Sequence, residues 1–578
     1  MLRWTGLWLA LLGGVFFLPF LGGVHLFDWD EINFAECARE MLLLDEYLKV
    51  YIDFRPFWEK PPLFFWLQAL SMRLWGVGEY AARFPNAICG MLTLPLLYHL
   101  GRRLRDARLG LLWAGAYLGS VLPHLYFKSG IIDPWFNLFM FVGLYAFIQA
   151  VWKKAGYQQP SLPQSRWLYL SLGGLALGLA IMTKGPAAGI ILGLCLVGYW
   201  VWGRFRWYVH VWELGLFGLV ALALPLLWFG LETWRNGPWF VVEFTKYQYR
   251  LFSTPDAGHG GFPGYHLVVL LVGCFPASIF AIRGFFTPEQ APHQRDFKRW
   301  MVLLFWVVLV LFSIVQSKIV HYSSMAYFPL TYLAALALHR AWAERQRLDA
   351  RLQGGLIAVG SLYGLAVLLL PIVAIWFKAD LQALIADPFA RANLEADVAW
   401  TGAEVLPAGW LAAVLGGSLW LLRRRAWEKG LAVLFGGMAG FVLLTLVFFV
   451  NKIEGYSQRA AVEFFEARQG EACYVGTLGY KSYVHLFYSR KQPPRELTEV
   501  SPPPQVPVEW SWEAFTAPPQ PYRPTVPAED RTWLLQGPID RPVYLSSKVP
   551  RAAGFLPRYP ELEVLEERNG FVLMRRVP

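Results

Sequence analysis

The stretch GGLIAVGSLYGLAVLLLPIVAIWF, residues 354–377, contains no charged side chain. About 20 consecutive apolar residues are enough to cross a bilayer, so this stretch predicts a membrane-spanning helix. The composition of the 578-residue chain agrees, because 56% of its residues are hydrophobic and 16% are charged. Ordinary soluble domains carry roughly 25% charged residues. The sequence therefore excludes intrinsic disorder and disfavours a water-soluble globule.

Twelve other apolar segments flank this stretch. The first lacks a small-residue cleavage site and is followed at once by Asp28, Asp30 and Glu31, so we interpret it as a span and not as a signal peptide. The sequence thus predicts an α-helical polytopic membrane protein with about 13 transmembrane helices. Their approximate bounds are 5–24, 80–101, 109–127, 134–152, 167–183, 187–203, 211–230, 265–282, 300–316, 323–338, 354–377, 405–422 and 429–450.

Basic residues concentrate in alternate connections between these spans. Because cytoplasmic loops are enriched in lysine and arginine, this bias places the N-terminus in the cytoplasm, and an odd number of spans places the C-terminus outside. These connections account for much of the net charge of +11, so no nucleic-acid partner is expected. Their basic residues are Arg102, Arg103, Arg105, Arg108, Lys153, Lys154, Arg166, Arg204, Arg206, Arg295, Lys298, Arg299, Arg340, Arg345, Arg347, Arg351, Arg423, Arg424, Arg425 and Lys429.

The end of the chain differs in character from the rest. Residues 451–578 hold 17 of the 39 prolines and no long apolar run. We therefore divide the chain into a transmembrane catalytic domain, residues 1–450, and a small outer α/β domain, residues 451–578. In the outer domain we predict β-like stretches at Ala472–Gly476, Tyr483–Tyr488, Thr532–Leu535 and Gly570–Met574, and a proline-rich surface strip at Pro493–Pro527.

The connection between the first two spans, residues 25–79, is too long for a tight turn and too apolar for a solvated loop. Within it, Asp30–Glu46 has apolar residues at helical spacing. Pro61–Trp75 begins with proline, which favours the first turn of a helix. Both segments are predicted to form helices that lie at the membrane surface.

Carboxylates stand where the chain leaves the membrane. Asp30 and Glu31 follow the first span, and a carboxylate at that depth is costly unless it has a partner or a function. Asp133 precedes Pro134 at the start of another span, where it serves either as a helix cap or as a second carboxylate of the same pocket. Asp28 fits a capping role as well as a functional one.

Lysine and arginine also occur beside the membrane on the outer side, where the orientation bias disfavours them. Lys60 precedes the predicted helix at Pro61, so its charge and the helix amides form either an anion site or a contact with lipid headgroups. Together the outer cations predict a surface that binds an anion, such as a lipid phosphate. The others are Arg83, Lys128, Lys184, Lys246, Arg250 and Lys318.

Several short motifs resemble, in the same order, those of a known family. The resemblance is to bacterial polyprenyl-phosphate-sugar glycosyltransferases of the GT-C class, whose relatives include protein O-mannosyltransferases and the lipid A aminoarabinose transferase. It covers about residues 1–450, and the outer domain contains no motif that we can match. The motifs are Asp30-Glu31, Arg39-Glu40-Met41, Glu59-Lys60-Pro61-Pro62, Arg83-Phe84-Pro85, Asp133-Pro134, Thr183-Lys184-Gly185-Pro186 and Lys318…Tyr322…Pro329.

The resemblance implies a GT-C-like fold of 13 spans in the bacterial inner membrane, with a periplasmic C-terminal domain. It implies a glycosyltransferase that moves a sugar from an undecaprenyl phosphate donor to a periplasm-facing acceptor. By matched motif, Asp30 would be the principal catalytic carboxylate and Asp133 the second acidic residue. Lys60, Arg250 and Tyr322 would line the donor phosphate.

Four further residues, all within the quoted motifs, complete the predicted site. Glu31 joins the catalytic carboxylates because it follows Asp30 directly. Arg83, Lys184 and Lys318 join the residues predicted to bind the donor phosphate, because each is an outer cation at the end of a span.

The resemblance also implies a divalent metal, such as zinc, near Glu59, which matches a metal-contacting position of the lipid A enzyme. The sequence departs from the family pattern nearby, because Tyr247 stands before Arg250 where a histidine is expected. His259 and His266 are the histidines that would substitute, and His259 is included with Glu59 in the predicted metal site.

The chemistry of the donor explains why cations and a carboxylate occur together. Breaking a sugar–phosphate bond leaves a lipid phosphate with extra negative charge, which nearby cations stabilise as it develops. Asp30 would act as a base towards a hydroxyl acceptor. A phosphate acceptor is already ionised, so Asp30 would then orient the acceptor or contact the donor sugar. We expect a single displacement with inversion.

The sequence leaves the acceptor open among lipid A, another lipid, a polysaccharide and a protein serine or threonine. A monomer in contact with membrane lipids is expected. A lipid or sugar transporter is the alternative from another class, but the charges cluster on one face and few lie at mid-membrane. A binding protein whose outer domain is the active part is the third alternative.

Overall fold

The computed structural model describes residues 4–157, 165–253, 260–493 and 528–578, and helices form most of this chain. Short 3-10 segments at Val320–Ala326 and Ala403–Val405 and a π segment at Leu446–Val450 interrupt the helices. The helices up to the predicted domain boundary are α1 (Thr5–Phe17), α2 (Asp30–Leu44), α3 (Leu63–Trp75), α4 (Glu79–Leu104), α5 (Ala107–Leu118), α6 (Val121–Tyr126), α7 (Asp133–Ala155), α8 (Arg166–Lys184), α9 (Ala187–Trp202), α10 (Val211–Asn236), α11 (Trp239–Ser253), α12 (Tyr265–Gly273), α13 (Ala277–Phe286), α14 (Pro292–Ile314), α15 (Tyr327–Ala343), α16 (Ala350–Trp376), α17 (Lys378–Leu384), α18 (Pro388–Asn393), α19 (Leu406–Arg423) and α20 (Trp427–Thr445).

Each of the thirteen predicted spans overlaps helical structure, but thirteen membrane crossings are not confirmed. Among the described residues, seven helices are long and apolar enough to cross a membrane. An eighth crossing requires α12 and α13, which meet at a bend of 111°, to act as one broken span. The prediction of a helical, multi-span membrane protein is confirmed. The seven are α7, α8, α10, α14, α16, α19 with the turn before it, and α20 with its continuation to Gly455.

Glycines bring α7, α8 and α10 close together. A Cβ placed on Gly173 of α8 would lie 3.0 Å from the backbone oxygen of Gly143 on α7. On the same helix, a Cβ on Gly178 would lie 2.7 Å from the backbone oxygen of Ala221 on α10. Small residues allow such close backbone contact between membrane helices. Because α7 and α8 are consecutive, this packing brings the first residue of α7 beside the last residue of α8.

The helix α2 lies deep inside the molecule. Residues 31–41 are all buried, and the helix packs against α3 and against the outer domain. A single buried core joins residues of this helix, such as Phe34 and Met41, with Phe465 and Phe487 of the outer domain. The helices predicted at Asp30–Glu46 and Pro61–Trp75 are confirmed. Their predicted position at the membrane surface stays a prediction, and the outer domain covers α2.

The outer domain contains a four-stranded sheet in the order β3–β4–β6–β5. The strands β3 and β4 are parallel, and the other two pairs are antiparallel. The loop before α3 contains a small antiparallel hairpin whose strands, β1 and β2, have two residues each. The elements are β1 (Tyr51–Ile52), β2 (Arg55–Pro56), β3 (Tyr474–Leu478), β4 (Val543–Lys548), β5 (Glu563–Arg568) and β6 (Phe571–Arg576), with helices α21 (Asn451–Gly455), α22 (Arg459–Glu466), α23 (Val484–Phe487), α24 (Ala528–Gln536) and α25 (Val549–Phe555).

Two of the four predicted β-like stretches correspond to strands, those at Ala472–Gly476 and Gly570–Met574. The other two stretches, Tyr483–Tyr488 and Thr532–Leu535, fall on the helices Val484–Phe487 and Ala528–Gln536. In the first, four consecutive residues are buried, so they do not alternate as the residues of a half-buried strand do. The sequence prediction did not include β4 or β5. All but the first residue of the proline-rich strip at Pro493–Pro527 lies outside the described residues.

Candidate active site

A cavity of about 670 Å³ opens at the ends of α7 and α8, below the outer domain. Its wall combines polar and apolar side chains, and the apolar ones include Ile190, Leu251, Leu311 and Phe312. A volume of this size suits a small ligand or the head of a larger one. The polar and charged side chains in its wall are Asp28, Asp30, Glu31, Asn33, Glu59, Lys60, Lys184, Thr245, Tyr247, Gln248, Tyr249, His321, Tyr322 and Lys481.

Lys184 of this wall forms an ion pair with the buried Asp133. The Lys184 Nζ donates to Asp133 Oδ1 at 2.5 Å, and Ser324 Oγ approaches the same oxygen at 3.4 Å. Only 1% of the Asp133 side chain is exposed. Its carboxylate does not cap α7, so of the two interpretations of Asp133 the structure favours a carboxylate at the pocket. The Lys184 ammonium also lies 5.1 Å from the centre of the Tyr322 ring.

Asp30 is the first residue of α2 and faces the cavity. Its side chain remains 45% exposed, unlike the buried residues that follow it. The Oδ2 atom of Asp30 lies 3.8 Å from His321 Nε2, and His321 Nε2 lies 3.9 Å from Asp133 Oδ2. The structure thus brings the two predicted principal carboxylates within 4 Å of the same imidazole nitrogen.

Lys60 enters the cavity wall from the loop before α3. Its Nζ donates to the hydroxyl of Tyr247 at 3.3 Å and lies 4.7 Å from the centre of that ring. Arg250, one helical turn further along α11, lies over the same ring with its guanidinium carbon at 5.1 Å. Arg250 is therefore next to Lys60 but is not part of the cavity wall. Tyr247, the departure from the family pattern, holds the two cations together.

Glu31 and Arg83 are corrections to the predicted site. The Arg83 guanidinium donates to both Glu31 carboxylate oxygens, at 2.8 and 3.1 Å, and to the carbonyls of residues 21, 24 and 25. The amides of Phe27 and Gly130 also donate to Glu31. Burial alone raises the pKa of Glu31, but the adjacent guanidinium outweighs it and holds that pKa below its ordinary value. Both groups are used in a structural ion pair, and Arg83 does not reach the cavity.

Replacing Arg83 with alanine is expected to destabilise the protein by about 3–5 kcal/mol, because it leaves the Glu31 carboxylate buried without its partner. Thermal unfolding of the purified protein in detergent would measure this loss. Arg73→Ala is the matched control, since Arg73 is exposed near the end of α3 and its removal should change the unfolding temperature little. Equal unfolding temperatures for the two variants would contradict the structural role of Arg83.

Lys318 is also a correction. Its Nζ donates to the carbonyls of Phe312, Ser313 and Val315, where α14 ends, at 3.0, 2.7 and 2.6 Å. The last carbonyls of a helix lack partners within that helix, and a lysine there supplies both hydrogen bonds and a favourable charge. Lys128 does the same for carbonyls at the end of α1. Neither lysine is in the cavity wall, and the described contacts of both serve helix ends.

A metal site is not assembled by the described residues. Glu59 lies in the cavity wall and is 9% exposed. Within residues 4–157, 165–253, 260–493 and 528–578, no three His, Cys, Asp or Glu side chains converge in a way that could hold a metal ion. His259 lies outside these residues, and the buried His266 is not in the cavity wall. The metal near Glu59 stays a prediction, and we derive no chemical step from it.

Eight polar residues of the cavity wall were not among the predicted site residues, and His321 and Lys481 are two of them. His321 stands next to Tyr322 in the motif Lys318…Tyr322…Pro329, so its position in that motif was an available signal. Lys481 comes from the outer domain, which contains no matched motif, so no local pattern points to it. Its ammonium lies 5.0 Å from the centre of the Trp29 ring.

The outer domain holds the loop that carries Asp30. The Trp29 ring nitrogen donates to the carbonyl of Lys481 at 2.9 Å, and the amide of Tyr483 donates to Asp28 Oδ1 at 3.2 Å. The amide of Asp28 donates in turn to Gln458 Oε1 at 3.1 Å. Asp28 therefore contacts the outer domain and is not a helix cap. Burial at this contact raises the pKa of Asp28 to about 6.

Comparison with known proteins places this site in a family context. Residues 59–229 match a family model described as dolichyl-phosphate-mannose-protein mannosyltransferase. Over 371 residues the chain is 30% identical to undecaprenyl phosphate-alpha-4-amino-4-deoxy-L-arabinose arabinosyl transferase of Pectobacterium carotovorum subsp. carotovorum (strain PC1). That match covers 62% of this chain and 63% of the relative, so it spans a little under two thirds of the relative's length.

The fold is similar to that of two solved structures. The crystal structure of ArnT from Cupriavidus metallidurans in the apo state has a TM-score of 0.74 and 20% sequence identity, and the match covers 100% of this chain and 98% of that one. The same protein bound to undecaprenyl phosphate has a TM-score of 0.70 and 21% identity, with the same coverage. The resemblance to GT-C glycosyltransferases, first indicated by the motifs, is confirmed, as is a helical membrane fold with a small C-terminal sheet domain.

Proposed function

We propose that this protein is an inverting glycosyltransferase that moves a sugar from an undecaprenyl phosphate donor to a lipid acceptor such as lipid A. The observation that carries the proposal is that Asp30, Lys60 and Lys184 line one cavity at the ends of the membrane helices. The similarity to arabinosyl transferases supports an undecaprenyl phosphate donor whose sugar is 4-amino-4-deoxy-L-arabinose.

The cavity wall contains both charged and apolar side chains, which suits a donor with a charged head and an apolar tail. The head would lie against Lys60 and Tyr247, where positive charge faces the cavity. The first isoprene units would lie against Ile190, Leu311 and Phe312 on the apolar side. The tail comes from a bilayer that is as apolar as this part of the wall, so the apolar residues accommodate the tail by packing while the cation fixes the position of the phosphate.

Catalysis follows from the change in charge at the donor phosphate. Transfer of the sugar breaks the bond between its anomeric carbon and a phosphate oxygen, and the lipid phosphate leaves with additional negative charge. A unit charge about 4 Å from another contributes about 4 kcal/mol at an effective dielectric of about 20. Only the part of this interaction that grows on the way to the transition state accelerates the reaction. Lys60 is the cation that the cavity places to supply it.

Asp30 acts on the acceptor side of the same reaction. Its exposed carboxylate can accept the proton of a hydroxyl acceptor or orient an acceptor that is already ionised. Lys481 of the outer domain adds a positive charge to the cavity wall, which suits an anionic acceptor such as a lipid A phosphate. Attack by the acceptor opposite the leaving phosphate inverts the anomeric carbon.

The same proposal includes the arrangement of the protein in the inner membrane. Thirteen spans with a cytoplasmic N-terminus place the arginine-rich ends of α4, α15 and α19 inside. They place the cavity and the outer domain in the periplasm, where a lipid A acceptor is accessible. Asp30 and Lys184, two charged residues of the cavity wall, lie at the start of α2 and at the end of α8, which favours an enzyme over a transporter with charges along its spans.

A protein acceptor is the second candidate. It is favoured by one finding, the match of residues 59–229 to a model described for protein mannosyltransferases. With such an acceptor Asp30 would take the proton of a serine or threonine hydroxyl.

The test is a transfer assay with the full chain in proteoliposomes that contain the undecaprenyl phosphate-linked aminoarabinose. Lipid A and a serine- and threonine-containing peptide are supplied as acceptors in separate reactions, and products are identified by mass spectrometry. We expect modified lipid A with an inverted anomeric configuration. A modified peptide alone would support the second candidate, and retention of configuration or the absence of any transfer would overturn the proposal.

A further inference from the structure

His321 lies close to both the Asp30 and the Asp133 carboxylates. It lies in the 3-10 segment between α14 and α15, and its side chain is 15% exposed. Its Nε2 atom is 3.8 Å from Asp30 Oδ2 and 3.9 Å from Asp133 Oδ2. Both distances exceed that of a direct hydrogen bond, so the gap on either side admits a small shift or one bridging water.

The environment of Asp133 gives a second, independent observation. Its Oδ1 atom accepts from Lys184 and Ser324, whereas its Oδ2 atom is buried and has no hydrogen-bond partner among the described residues. A buried carboxylate oxygen without a partner is costly. The His321 Nε2 atom is the ring nitrogen nearest to this oxygen. A proton on Nε2 therefore faces the carboxylates of both Asp133 and Asp30.

The charged groups around His321 favour the neutral imidazole. Burial lowers its pKa; Asp133 and Asp30 act to raise that pKa, whereas Lys184 and Lys60 lower it further, and the sum is a pKa below the ordinary value. His266 on α12 also interacts with His321 electrostatically. A neutral imidazole carries one proton, and two carboxylates that face Nε2 select the tautomer with the proton on that atom.

We propose that His321 is a positioning residue that aims the Asp30 carboxylate at the acceptor through its Nε2 proton, which faces both Asp30 and Asp133. This inference rests on the proposed function and deepens it. A hydrogen bond to the ionised form of a carboxylate favours that form, so removal of the Nε2 donor is expected to move the acidic side of the pH profile of transfer. Misplacement of a reacting group by about 1 Å can cost about 100-fold in rate.

The test compares the wild-type chain, His321→Leu and His321→Gln in the lipid A transfer assay across pH. The leucine variant removes the donor, whereas the glutamine amide retains one. We expect His321→Leu to lower kcat by about 10- to 100-fold with a donor KM within about twofold. We also expect its activity to be lost at a higher pH on the acidic side than in the wild type, with His321→Gln in between. His124→Leu, which removes a buried imidazole outside the cavity wall, should leave the acidic side of the profile in place.

The outcomes separate this inference from the proposed function. If the wild-type chain transfers sugar and His321→Leu changes neither kcat nor the pH profile, the role of His321 is overturned while the proposed function stands. The same holds if His321→Leu lowers kcat but leaves the acidic side of the profile unmoved, since that is the result of a merely structural change. If the wild-type chain transfers nothing, the proposed function itself fails. If His321→Leu does not fold, the profile of His321→Gln decides, because an unshifted profile overturns the inference.

Discussion

Replacing Asp30 with asparagine is expected to reduce sugar transfer by about 10³-fold or more while the protein remains folded. The carboxylate faces the cavity, is 45% exposed and forms no buried ion pair like that of Asp133, so its charge is not needed for packing. General acid–base groups contribute about 10²- to 10⁴-fold. Turnover in proteoliposomes and the unfolding temperature in detergent measure the two parts of this prediction.

Asp45→Asn is the matched control for this substitution. Asp45 is exposed at the end of α2 and adopts a left-handed conformation, which asparagine accepts readily. It lies outside the cavity wall, so we expect normal turnover. A fully active Asp30→Asn variant would remove Asp30 from the mechanism, and an inactive but unfolded one would show that the carboxylate is structural.

Lys60→Ala is expected to lower turnover by about 10²- to 10³-fold, the loss found when one preorganised group is removed from a developing negative charge. The effect should appear mainly in kcat, because the interaction with the phosphate grows towards the transition state. Lys60→Arg retains the charge but changes its shape and reach, so it should restore only part of the activity. Steady-state transfer at several donor concentrations separates kcat from KM.

Lys246→Ala is the control for the loss of one positive charge on this surface. Lys246 lies on α11, is 44% exposed and pairs with Glu243 at 3.1 Å. It is absent from the cavity wall, so its removal should change turnover by less than about twofold. Near-normal transfer by Lys60→Ala would show that the donor phosphate is neutralised elsewhere.

The sequence predicts the carboxylates and the central lysines of the site better than it predicts the outer cations as a group. Asp30, Asp133, Lys60 and Lys184 belong to motifs at the ends of helices, and the packing of α7 on α8 brings such ends together. Hydrophobic periodicity and segment length are enough to locate these helices. Periodicity and length do not give the number of membrane crossings, because several helices are short, bent or charged at their ends.

The outer cations could not be sorted from sequence because one residue type serves two purposes at the same place. A lysine or arginine beside a helix end can bind carbonyls left without partners, as Lys128 and Lys318 do, or it can face a ligand, as Lys60 does. The direction of the side chain decides between them, and this depends on neighbours that are distant in the chain. Arg83 was assigned to the donor phosphate for the same reason, although Glu31 takes its charge.

Local sequence patterns could not predict that the outer domain contributes a residue, Lys481, to the cavity wall. Lys481 reaches the site across 452 positions from Trp29, and no spacing rule connects residues so far apart. His321 was closer to detection, since it stands beside Tyr322 within a matched motif. The matched motif pointed to its lysine and tyrosine as site residues. The interest of the imidazole is visible only from the structure, where Asp30 and Asp133 both approach its Nε2 atom.

The hydrogen bonds that tie Leu26 to Tyr488 and Asp28 to Tyr483 have a consequence for biogenesis. The loop that bears Asp30 is among the first parts of the chain to be made, yet the partners that hold it are synthesised more than 400 residues later. A nascent chain that stalls before the outer domain has been translated therefore lacks the contacts that hold the loop bearing Asp30. This loop reaches its final environment only after the outer domain has been made.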